Sequence, residues 1–277
     1  MAAVYSDKKP VVLHASTSLL QAVRSMIRRK RYHVVLVDEA GSPWGVLSAR
    51  DAARAVFVIG EEGIEVAEAG SLGRILQNPS YLYASRPAVT APESVSLEEA
   101  LSVMVSRGLG CLPLVDENGR LTGVLDERFL VRAFPEYSTQ ATCDAATWNP
   151  VVVEPDEDVA ASVGYMLSMG VRRLVVPAPG GGHKLVSLSQ VLEYMSRDEI
   201  LRRLMRGERS PLEKPVITLA ETPWEADCGH TLKEVASMIS ADPMGAVLVY
   251  DRELGKGPGI ITERDVLRAL ARELRSA

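Results

Sequence analysis

Residues 259–265 read Gly-Ile-Ile-Thr-Glu-Arg-Asp and lead directly into the helical stretch of residues 266–270. The same pattern stands near the start of the chain, where residues 45–51 read Gly-Val-Leu-Ser-Ala-Arg-Asp. Weaker copies lie between them, at residues 123–129 and 184–190. A repeated sequence predicts a repeated structural unit, and each unit must bury its apolar face against another copy. This repetition decides the fold.

Short runs of β-branched and aliphatic residues stand before each copy and predict buried strands, at residues 34–38, 112–116, 174–177 and 247–251. An extended segment opens each unit, at residues 10–13, 88–90, 150–153 and, least clearly, within residues 215–227. Amphipathic helices are predicted between these segments, at residues 19–26, 97–104, 159–166 and 232–238. Each unit is therefore predicted as strand, helix, strand, tight turn, strand and helix.

This repeated unit resembles the cystathionine-β-synthase (CBS) domain family, and the resemblance covers nearly the whole chain. It implies an α/β (α+β) fold in which each of four CBS repeats forms a small sheet with flanking helices. The repeats are expected to pair into two modules with pseudo-two-fold symmetry. Residues 1–134 would hold the first pair (repeats about 8–57 and 86–134), and residues 135–277 the second (repeats about 148–196 and 215–277).

Composition limits the possible partners. The 277 residues, 47% of them hydrophobic, are enough for two ordinary domains with their own cores. The net charge of −5 makes nucleic-acid binding through a phosphate-tracking surface unlikely. No apolar run reaches the length of a membrane span, and the N-terminus lacks a secretion signal. We therefore expect a cytoplasmic protein that does not bind membranes.

Cysteine and histidine spacing predicts neither a disulfide framework nor a metal site. The cysteines are odd in number and far apart: Cys111, Cys143 and Cys228. We expect each to pack as a small hydrophobic residue. The histidines show no metal-ligand spacing with one another or with the cysteines: His14, His33, His183 and His230.

The repeated motif places a hydroxyl and, three positions later, a carboxylate at the start of a helix. A carboxylate there can accept hydrogen bonds from the hydroxyls of a ribose. The simpler interpretation is helix capping, and the two can hold together. The candidates for binding ribose are Asp265, Thr262, Asp51 and Ser48.

Two of the copies have lost this pattern. In the second repeat Asp126 replaces the hydroxyl and Phe129 replaces the aspartate, and in the third Gln190 replaces the aspartate beside Ser187. Neither copy can bind ribose in the usual way. One competent nucleotide site is therefore predicted in each module, around Asp51 and around Asp265.

Phosphate binding requires cations, and the repeats differ in the residues just before the strand of each unit. In family members that resemble the γ subunit of AMP-activated protein kinase, a His-Arg pair at this place reaches the phosphate held by the partner repeat. By resemblance, Arg172 and Arg173 of the third repeat would serve the Asp265 site, although a solvated strand edge also explains them. The other phosphate-binding candidates are Arg264, Arg50, Arg128 and His33.

Adenine is expected to lie against apolar residues of the strands, with backbone groups reading its edge. The candidates are equally plausible as plain core: Val152, Val153, Val12, Leu13, Val89, Thr90, Ile260 and Val46.

Enzymatic interpretations find little support. Gly180-Gly181-Gly182-His183-Lys184 lacks the spacing of a phosphate loop and falls in a predicted turn between strands. No nucleophile elbow or His-Glu-x-x-His motif is present, so no catalytic residue is predicted.

The sequence thus predicts a non-catalytic regulatory protein that senses AMP, ADP or ATP and requires no cofactor. One alternative is a sensor of S-adenosylmethionine or another adenosyl ligand, and another is a structural interaction module with vestigial clefts. A homodimer or an intramolecular disc is expected, and an unidentified effector protein would read the signal.

Overall fold

The computed structural model describes residues 1–60, 63–67, 69–134 and 140–276. The strands are β1 (Val12–His14), β2 (His33–Val37), β3 (Pro43–Ser48), β4 (Phe57–Gly60), β5 (Gly63–Val66), β6 (Ala91–Pro92), β7 (Cys111–Val115), β8 (Leu121–Asp126), β9 (Arg173–Pro177), β10 (His183–Ser187), β11 (Trp224–Asp227), β12 (Ala246–Asp251) and β13 (Lys256–Thr262). The α-helices are α1 (Leu19–Arg29), α2 (Ala49–Val56), α3 (Ala69–Gln77), α4 (Leu97–Arg107), α5 (Glu127–Leu130), α6 (Thr142–Ala145), α7 (Val159–Ser168), α8 (Leu188–Ser196), α9 (Asp198–Met205), α10 (Leu232–Ala241) and α11 (Glu263–Ser276). Single 3-10 turns lie at Ala2–Tyr5, Ser80–Leu82, Val131–Ala133 and Val216–Thr218.

The predicted order of strands and helices is found in the repeats. The first, second and fourth repeats each form a three-stranded sheet, in the orders β1-β2-β3, β6-β7-β8 and β11-β12-β13. In each sheet the first pairing is parallel and the second antiparallel. The third repeat has only the antiparallel pair β9-β10, because its opening segment contributes a single bridge between Val152 and Val175. The mixed α/β fold is as predicted.

The motif helices begin where a hydroxyl side chain can satisfy free backbone N–H groups. Ser48 caps α2 and Ser187 caps α8, each with the residue three positions later bonding back to the backbone N–H of the cap. Such capping boxes satisfy two of the N–H groups that the first turn of a helix leaves unpaired. In the fourth repeat the backbone N–H of Thr262 donates to Asp265 Oδ2 at 2.9 Å, just before α11.

The sheets of the repeats pack against each other in pairs. Val35 of the first repeat lies in one buried cluster with Cys111 and Val124 of the second. Val175 of the third repeat lies in another with Leu248 of the fourth. A small sheet cannot bury its apolar face alone, which explains the pairing.

Helices form the second kind of contact, which joins the first repeat to the third and the second to the fourth. One large core contains helix residues of the first and third repeats, such as Ala22 and Val163. A second contains helix residues of the second and fourth repeats, such as Leu101 and Leu270. Contacts between sheets therefore alternate with contacts between helices from one repeat to the next. The four repeats close into a ring within one chain. The predicted division at residue 134 stays a prediction, because residues 135–139 lie outside the described ranges.

The expectation that every cysteine is free was wrong. Cys143 and Cys228 form a disulfide whose Cα atoms are 5.1 Å apart, although 85 residues separate them in sequence. Cys111 is free and buried, as predicted. The disulfide forms because α6 lies against the start of the fourth repeat, where Thr142 Oγ1 donates to the carbonyl of His230 at 2.6 Å. The sulfur atoms also lie within 4.8 Å of an Asp251 carboxylate oxygen. Because the two sulfur atoms are bonded to each other, they do not act as thiolate ligands of a metal ion.

Within the described ranges, no helix has both the length and the apolar character needed to cross a bilayer.

Candidate functional site

Two clefts open between paired repeats, one at each complete motif. The Asp51 cleft, of about 260 Å³, lies between the first and second repeats. Its lining includes Val46, Ser48, Asp51, Ser85, Val89 and Gly110. The Asp265 cleft, of about 230 Å³, lies between the third and fourth repeats. Its lining includes Thr147, Asn149, Val151, Ile260, Thr262 and Asp265. The structure therefore brings all four predicted ribose-binding residues to cleft walls.

One carboxylate oxygen of each aspartate serves its helix. Asp51 Oδ2 accepts from the backbone N–H of Ser48 at 2.9 Å and from its hydroxyl at 2.6 Å. Asp265 Oδ2 accepts from the Thr262 hydroxyl in the same way, at 2.7 Å. Capping is thus part of the role of both side chains.

The second carboxylate oxygen is less engaged. Asp51 Oδ1 has no hydrogen-bond partner among the described residues. Asp265 Oδ1 lies 3.5 Å from the exposed Arg268, a contact of little strength in water. Each aspartate therefore keeps one oxygen that can accept hydrogen bonds from a bound molecule.

Three arginines line both clefts and form a common wall between them: Arg50, Arg172 and Arg264. We call them the central arginines. Arg50 Nη2 donates to the carbonyl of Gly170 at 2.6 Å, while its Nε is buried without a hydrogen-bond partner. Arg264 Nη2 makes a long contact, 3.4 Å, with the carbonyl oxygen of Gly108.

Burial and neighbouring like charges act on two of the central arginines, Arg50 and Arg264. Burial, followed by the nearby charges of Arg172 and Arg264, lowers the pKa of Arg50. Burial also lowers the pKa of Arg264, and Arg172 adds to this effect although Glu127 opposes it. Buried like charges are costly unless an anion compensates them, so this wall favours a bound anion.

Arg172 already has one carboxylate partner. It forms an ion pair with Glu127, whose side chain is only 1% exposed. Burial tends to lower the pKa of Arg172, but Glu127 and Glu263 outweigh it and the pKa is raised. Arg172 therefore stays protonated at the wall shared by the clefts.

Arg173 was predicted to bind phosphate together with Arg172, and its guanidinium, like that of Arg172, pairs with a buried glutamate. Its Nη2 donates to Glu263 Oε2 at 2.7 Å and its Nε to the carbonyl of Met244 at 2.6 Å. It borders the Asp265 cleft and joins the start of β9 to the start of α11 and to the segment just before β12. The sequence could not separate the two arginines, since the buried Glu263 is distant in the chain.

His33 and Arg128 also differ in position. His33 lines the Asp51 cleft, and its Nδ1 lies 2.9 Å from Asp126 Oδ2. Arg128 is not brought to that cleft, because its guanidinium reaches the carbonyls of Asp242 at 3.1 Å and Pro243 at 3.4 Å. The arginine of the degenerate second motif thus bonds to the fourth repeat, its neighbour in the ring.

The predicted adenine-contacting residues are only partly in place. Val46 and Val89 line the Asp51 cleft, and Ile260 lines the Asp265 cleft. The remaining candidates are not among the lining residues: Val12, Leu13, Thr90, Val152 and Val153. Alternation along a strand tells which residues share a face, but not which repeat supplies the wall.

Sequence reasoning missed two equivalent wall residues. Ser85 pairs with Val46 through two backbone hydrogen bonds, of 3.1 and 2.9 Å. Thr147 pairs with Ile260 through two bonds of 2.9 Å. Each precedes the opening segment of its repeat, and each is a hydroxyl residue shortly before a proline. That shared spacing was the available signal.

Comparison with known proteins agrees with the repeat pattern. A family model described as the CBS domain matches residues 3–58, 81–136 and 212–272. These matches fall on the first, second and fourth repeats, whose sheets have three strands.

Some relatives match nearly the whole chain. A 33.4 kDa protein in a ribosomal RNA operon of Thermofilum pendens is 29% identical over 271 residues, covering 94% of this chain and 88% of its own. A crystal structure from Methanocaldococcus jannaschii, of a protein proposed as an archaeal homologue of the AMP-activated protein kinase γ subunit, has a TM-score of 0.81 at 20% identity. It covers 96% of this chain and 98% of its own. A CBS-domain protein from Pyrobaculum aerophilum, solved with AMP, covers 49% of this chain and 92% of its own, with a TM-score of 0.39 at 22% identity.

Proposed function

This chain belongs to the CBS-domain family, and on that premise we propose that it is a non-catalytic regulatory protein that binds adenine nucleotides in the Asp51 and Asp265 clefts. One observation carries the proposal: both clefts, each with a hydroxyl and a carboxylate on its rim, end at the same central arginines. This arrangement suits a molecule with a diol at one end and phosphate at the other.

The ribose end would be held by the free carboxylate oxygens. Asp51 Oδ1 and Asp265 Oδ1 can each accept from the ribose hydroxyls, while Oδ2 stays with the helix cap. Hydrogen bonds to a charged acceptor contribute about 1.5–3 kcal/mol. The adenine would lie between the wall strands, beside the paired backbones at Val46 and Ile260.

The phosphate end would be held by the central arginines. Phosphate would supply an acceptor for the buried Nε of Arg50 and would offset its repulsion with Arg172 and Arg264. Guanidinium groups bind phosphate oxygens through paired, charge-assisted hydrogen bonds. Because the same arginines border both clefts, nucleotide in one cleft would change the electrostatics of the other. AMP, ADP and ATP all fit this description.

Calorimetric titration of the full chain with AMP, ADP, ATP, adenosine and S-adenosylmethionine tests the proposal. The expected result is two AMP per chain, with the second bound more weakly, and weaker binding of adenosine to these clefts. S-adenosylmethionine binding tighter than AMP in the same clefts would favour the adenosyl-sensor alternative. If none of the five compounds binds, the result favours the other alternative, a structural interaction module with vestigial clefts.

Regulation would act through a further protein. A ligand that bridges two repeats changes the ring, and an effector that contacts the ring could read the change. The proposed setting is the cytoplasm, as a single ring or a homodimer of rings.

A further inference from the structure

The sulfur atoms of Cys143 and Cys228 and a carboxylate oxygen of Asp251 all lie within 4.8 Å of one another. We call these three residues the thiol cluster. All three are half-buried, so a small ion can reach them from solvent. In the part of the chain that the structure describes, no other three histidine, cysteine or acidic residues are grouped as closely. Reduction of the disulfide would leave two thiols beside a carboxylate.

The backbones that carry the two cysteines are held together by bonds other than the disulfide. Thr142 Oγ1 donates to the carbonyl of His230 at 2.6 Å, and the backbone N–H of Leu232 donates to the carbonyl of Gln140 at 3.0 Å. Neither hydrogen bond involves a sulfur atom, so neither is broken when the disulfide is reduced. The two thiols of the reduced chain therefore stay close together.

The third member of the thiol cluster is positioned by the sheet of the fourth repeat. Asp227, the last residue of β11, pairs with Tyr250 of β12, so Cys228 and Asp251 follow each other at neighbouring strand positions. Asp251 Oδ1 accepts from the backbone N–H of Leu254 at 3.0 Å. Among the described residues Oδ2 has no hydrogen-bond partner and can bind another atom.

No basic side chain of the described residues neutralises this carboxylate. Lys256 is the partner of Asp251 across β12 and β13, but its Nζ lies 4.2 Å from the ring centre of Trp148. The exposed Asp144 adds a further negative charge next to Cys143. The surroundings of the thiol cluster therefore attract a cation.

The ligand atoms suit zinc. Zn–S bonds are about 2.3 Å long and Zn–O bonds about 2.0–2.2 Å, so two atoms bound to one Zn²⁺ are at most about 4.6 Å apart. The 4.8 Å limit of the thiol cluster needs only a small adjustment to meet this value. Thiolates select zinc over magnesium and calcium, which prefer ligand sets made of oxygen alone.

We propose that the reduced thiol cluster is a zinc site, in which the thiolates of Cys143 and Cys228 and the carboxylate of Asp251 bind one Zn²⁺ and water takes the fourth position. The site is separate from the nucleotide clefts and does not depend on the function proposed for them.

The site forms in two balanced steps. A dithiol reductant opens the disulfide by exchange, its own sulfur atoms become a disulfide, and two electrons and two protons pass to Cys143 and Cys228. Zn²⁺ then replaces the two thiol protons, which leave to solvent. Most cytosols keep thiols reduced, so the reduced form is the relevant one in the setting proposed for this chain.

Zinc would keep α6 joined to the fourth repeat after the disulfide is lost. Reduction without metal removes the covalent connection between Cys143 and Cys228, whereas reduction with zinc replaces it with a metal bridge between the same two residues. The same two segments are thus crosslinked under oxidising and under reducing conditions.

Calorimetric titration of the full chain with zinc sulfate tests the proposal. The chain is reduced with a phosphine, freed of reductant and metal without exposure to air, and compared with the disulfide-bonded chain. One Zn²⁺ per reduced chain is expected, and none at this site in the disulfide-bonded chain. Co²⁺ in place of zinc should give the thiolate-to-metal charge-transfer absorption of a site with two sulfur ligands.

Stability gives a second measurement. Zinc should raise the melting temperature of the reduced chain, because a ligand that binds the folded state stabilises it. It should leave the melting temperature of the disulfide-bonded chain unchanged.

Variants identify the ligands. Cys143→Ser should abolish zinc binding. Asp251→Asn should weaken it at least about tenfold, because even residues that only hydrogen-bond to zinc ligands contribute about 10–100-fold. Asp251→Asn keeps both cysteines, so its folding can be checked in the disulfide-bonded form. Cys111→Ser, which removes the free buried thiol, and Asp144→Asn are the matched controls and should bind zinc like the unmodified chain.

The proposal is overturned if the reduced chain binds no zinc, if Cys143→Ser binds it as tightly as the unmodified chain, or if Asp251→Asn and Asp144→Asn behave alike. None of these measurements uses a nucleotide, so failure of the zinc site and failure of the nucleotide clefts are observed separately.

Discussion

Asp51 and Asp265 show how one side chain can serve a helix and a ligand together. In each, Oδ2 belongs to the cap and Oδ1 is available to the cleft. Capping and binding can therefore be separated by measuring stability and affinity on the same variant.

We predict that Asp265→Ala lowers AMP affinity at its own cleft by about 1.5–3 kcal/mol, because the ribose loses hydrogen bonds to a charged acceptor. The lost cap should also lower the free energy of unfolding by about 1 kcal/mol. Calorimetry and thermal melting measure the two effects. Asp51→Ala is the control and should leave the Asp265 cleft intact. If Asp265→Ala lowers the melting temperature but leaves AMP affinity unchanged, Asp265 caps α11 and does not bind ribose.

Arg50 provides a second test at the same scale. Arg50→Gln should weaken AMP in both clefts by about 1.5–3 kcal/mol, since charge-assisted bonds to phosphate are lost. Adenosine affinity at these clefts should change little. Arg128→Gln is the matched control, because that guanidinium bonds to the fourth repeat and lies outside both cleft linings. Equal losses of AMP and adenosine in Arg50→Gln would contradict a phosphate role.

Glu127 links the stability of the ring to pH. Burial tends to raise its pKa, but Arg172 and His33 outweigh it, so the pKa lies below the ordinary value of 4.5. A carboxylate with a lowered pKa stabilises the folded state above its unfolded pKa, and this contribution is lost as pH falls through the folded pKa.

Glu127→Gln should therefore cost about 3–5 kcal/mol at neutral pH, because Arg172 is left as a buried unpaired charge. The difference from the unmodified chain should shrink as pH drops below 4.5, which chemical denaturation at several pH values would measure. The exposed Glu193→Gln is the control. A pH-independent difference would rule out the ionised pair as its cause.

At the scale of elements, the repeats differ in how their opening segment is held. β1, β6 and β11 pair along their sheets, whereas the third repeat has one bridge, at Val152. Its lead-in is fixed instead by α6, through the disulfide between Cys143 and Cys228. Thr147, four residues after Cys143, pairs with Ile260 at the wall of the Asp265 cleft.

We predict that Cys143→Ser lowers the free energy of unfolding by about 2–4 kcal/mol, as expected for a crosslink that closes a long loop. Denaturation with and without a reductant measures it. Reduction should have the same effect on the unmodified chain and none on the variant. If the unmodified chain is insensitive to reductant, the disulfide does not contribute to stability.

At the scale of the molecule, the ring is closed by two kinds of interface. Sheets join the first repeat to the second and the third to the fourth, and helices join the first to the third and the second to the fourth. Every repeat thus buries two faces within one chain. The central arginines come from the first, third and fourth repeats and meet only because the ring closes.

Because each repeat already buries two of its faces within the chain, we predict a monomeric ring or a closed homodimer. Light scattering over a wide concentration range should reach a plateau at one of these masses. Continued growth with concentration would indicate open assembly through an unpaired surface.

The repeat, the order of its elements and the two complete motifs could be predicted from the amino-acid sequence alone. These are local properties, since the spacing of apolar residues fixes helices and strands, and a hydroxyl three positions before a carboxylate fixes a helix start. Which arginines lie together, and which carboxylate pairs with each, depends on how the chain folds. Arg172 and Arg173 are neighbours in sequence and each pairs with a buried glutamate, Glu127 or Glu263. Arg172 nevertheless lies at the wall shared by both clefts, whereas Arg173 borders the Asp265 cleft and not the Asp51 cleft. The disulfide was likewise hidden, because it depends on a contact between residues 85 positions apart in the chain, and spacing along the chain does not encode such distances.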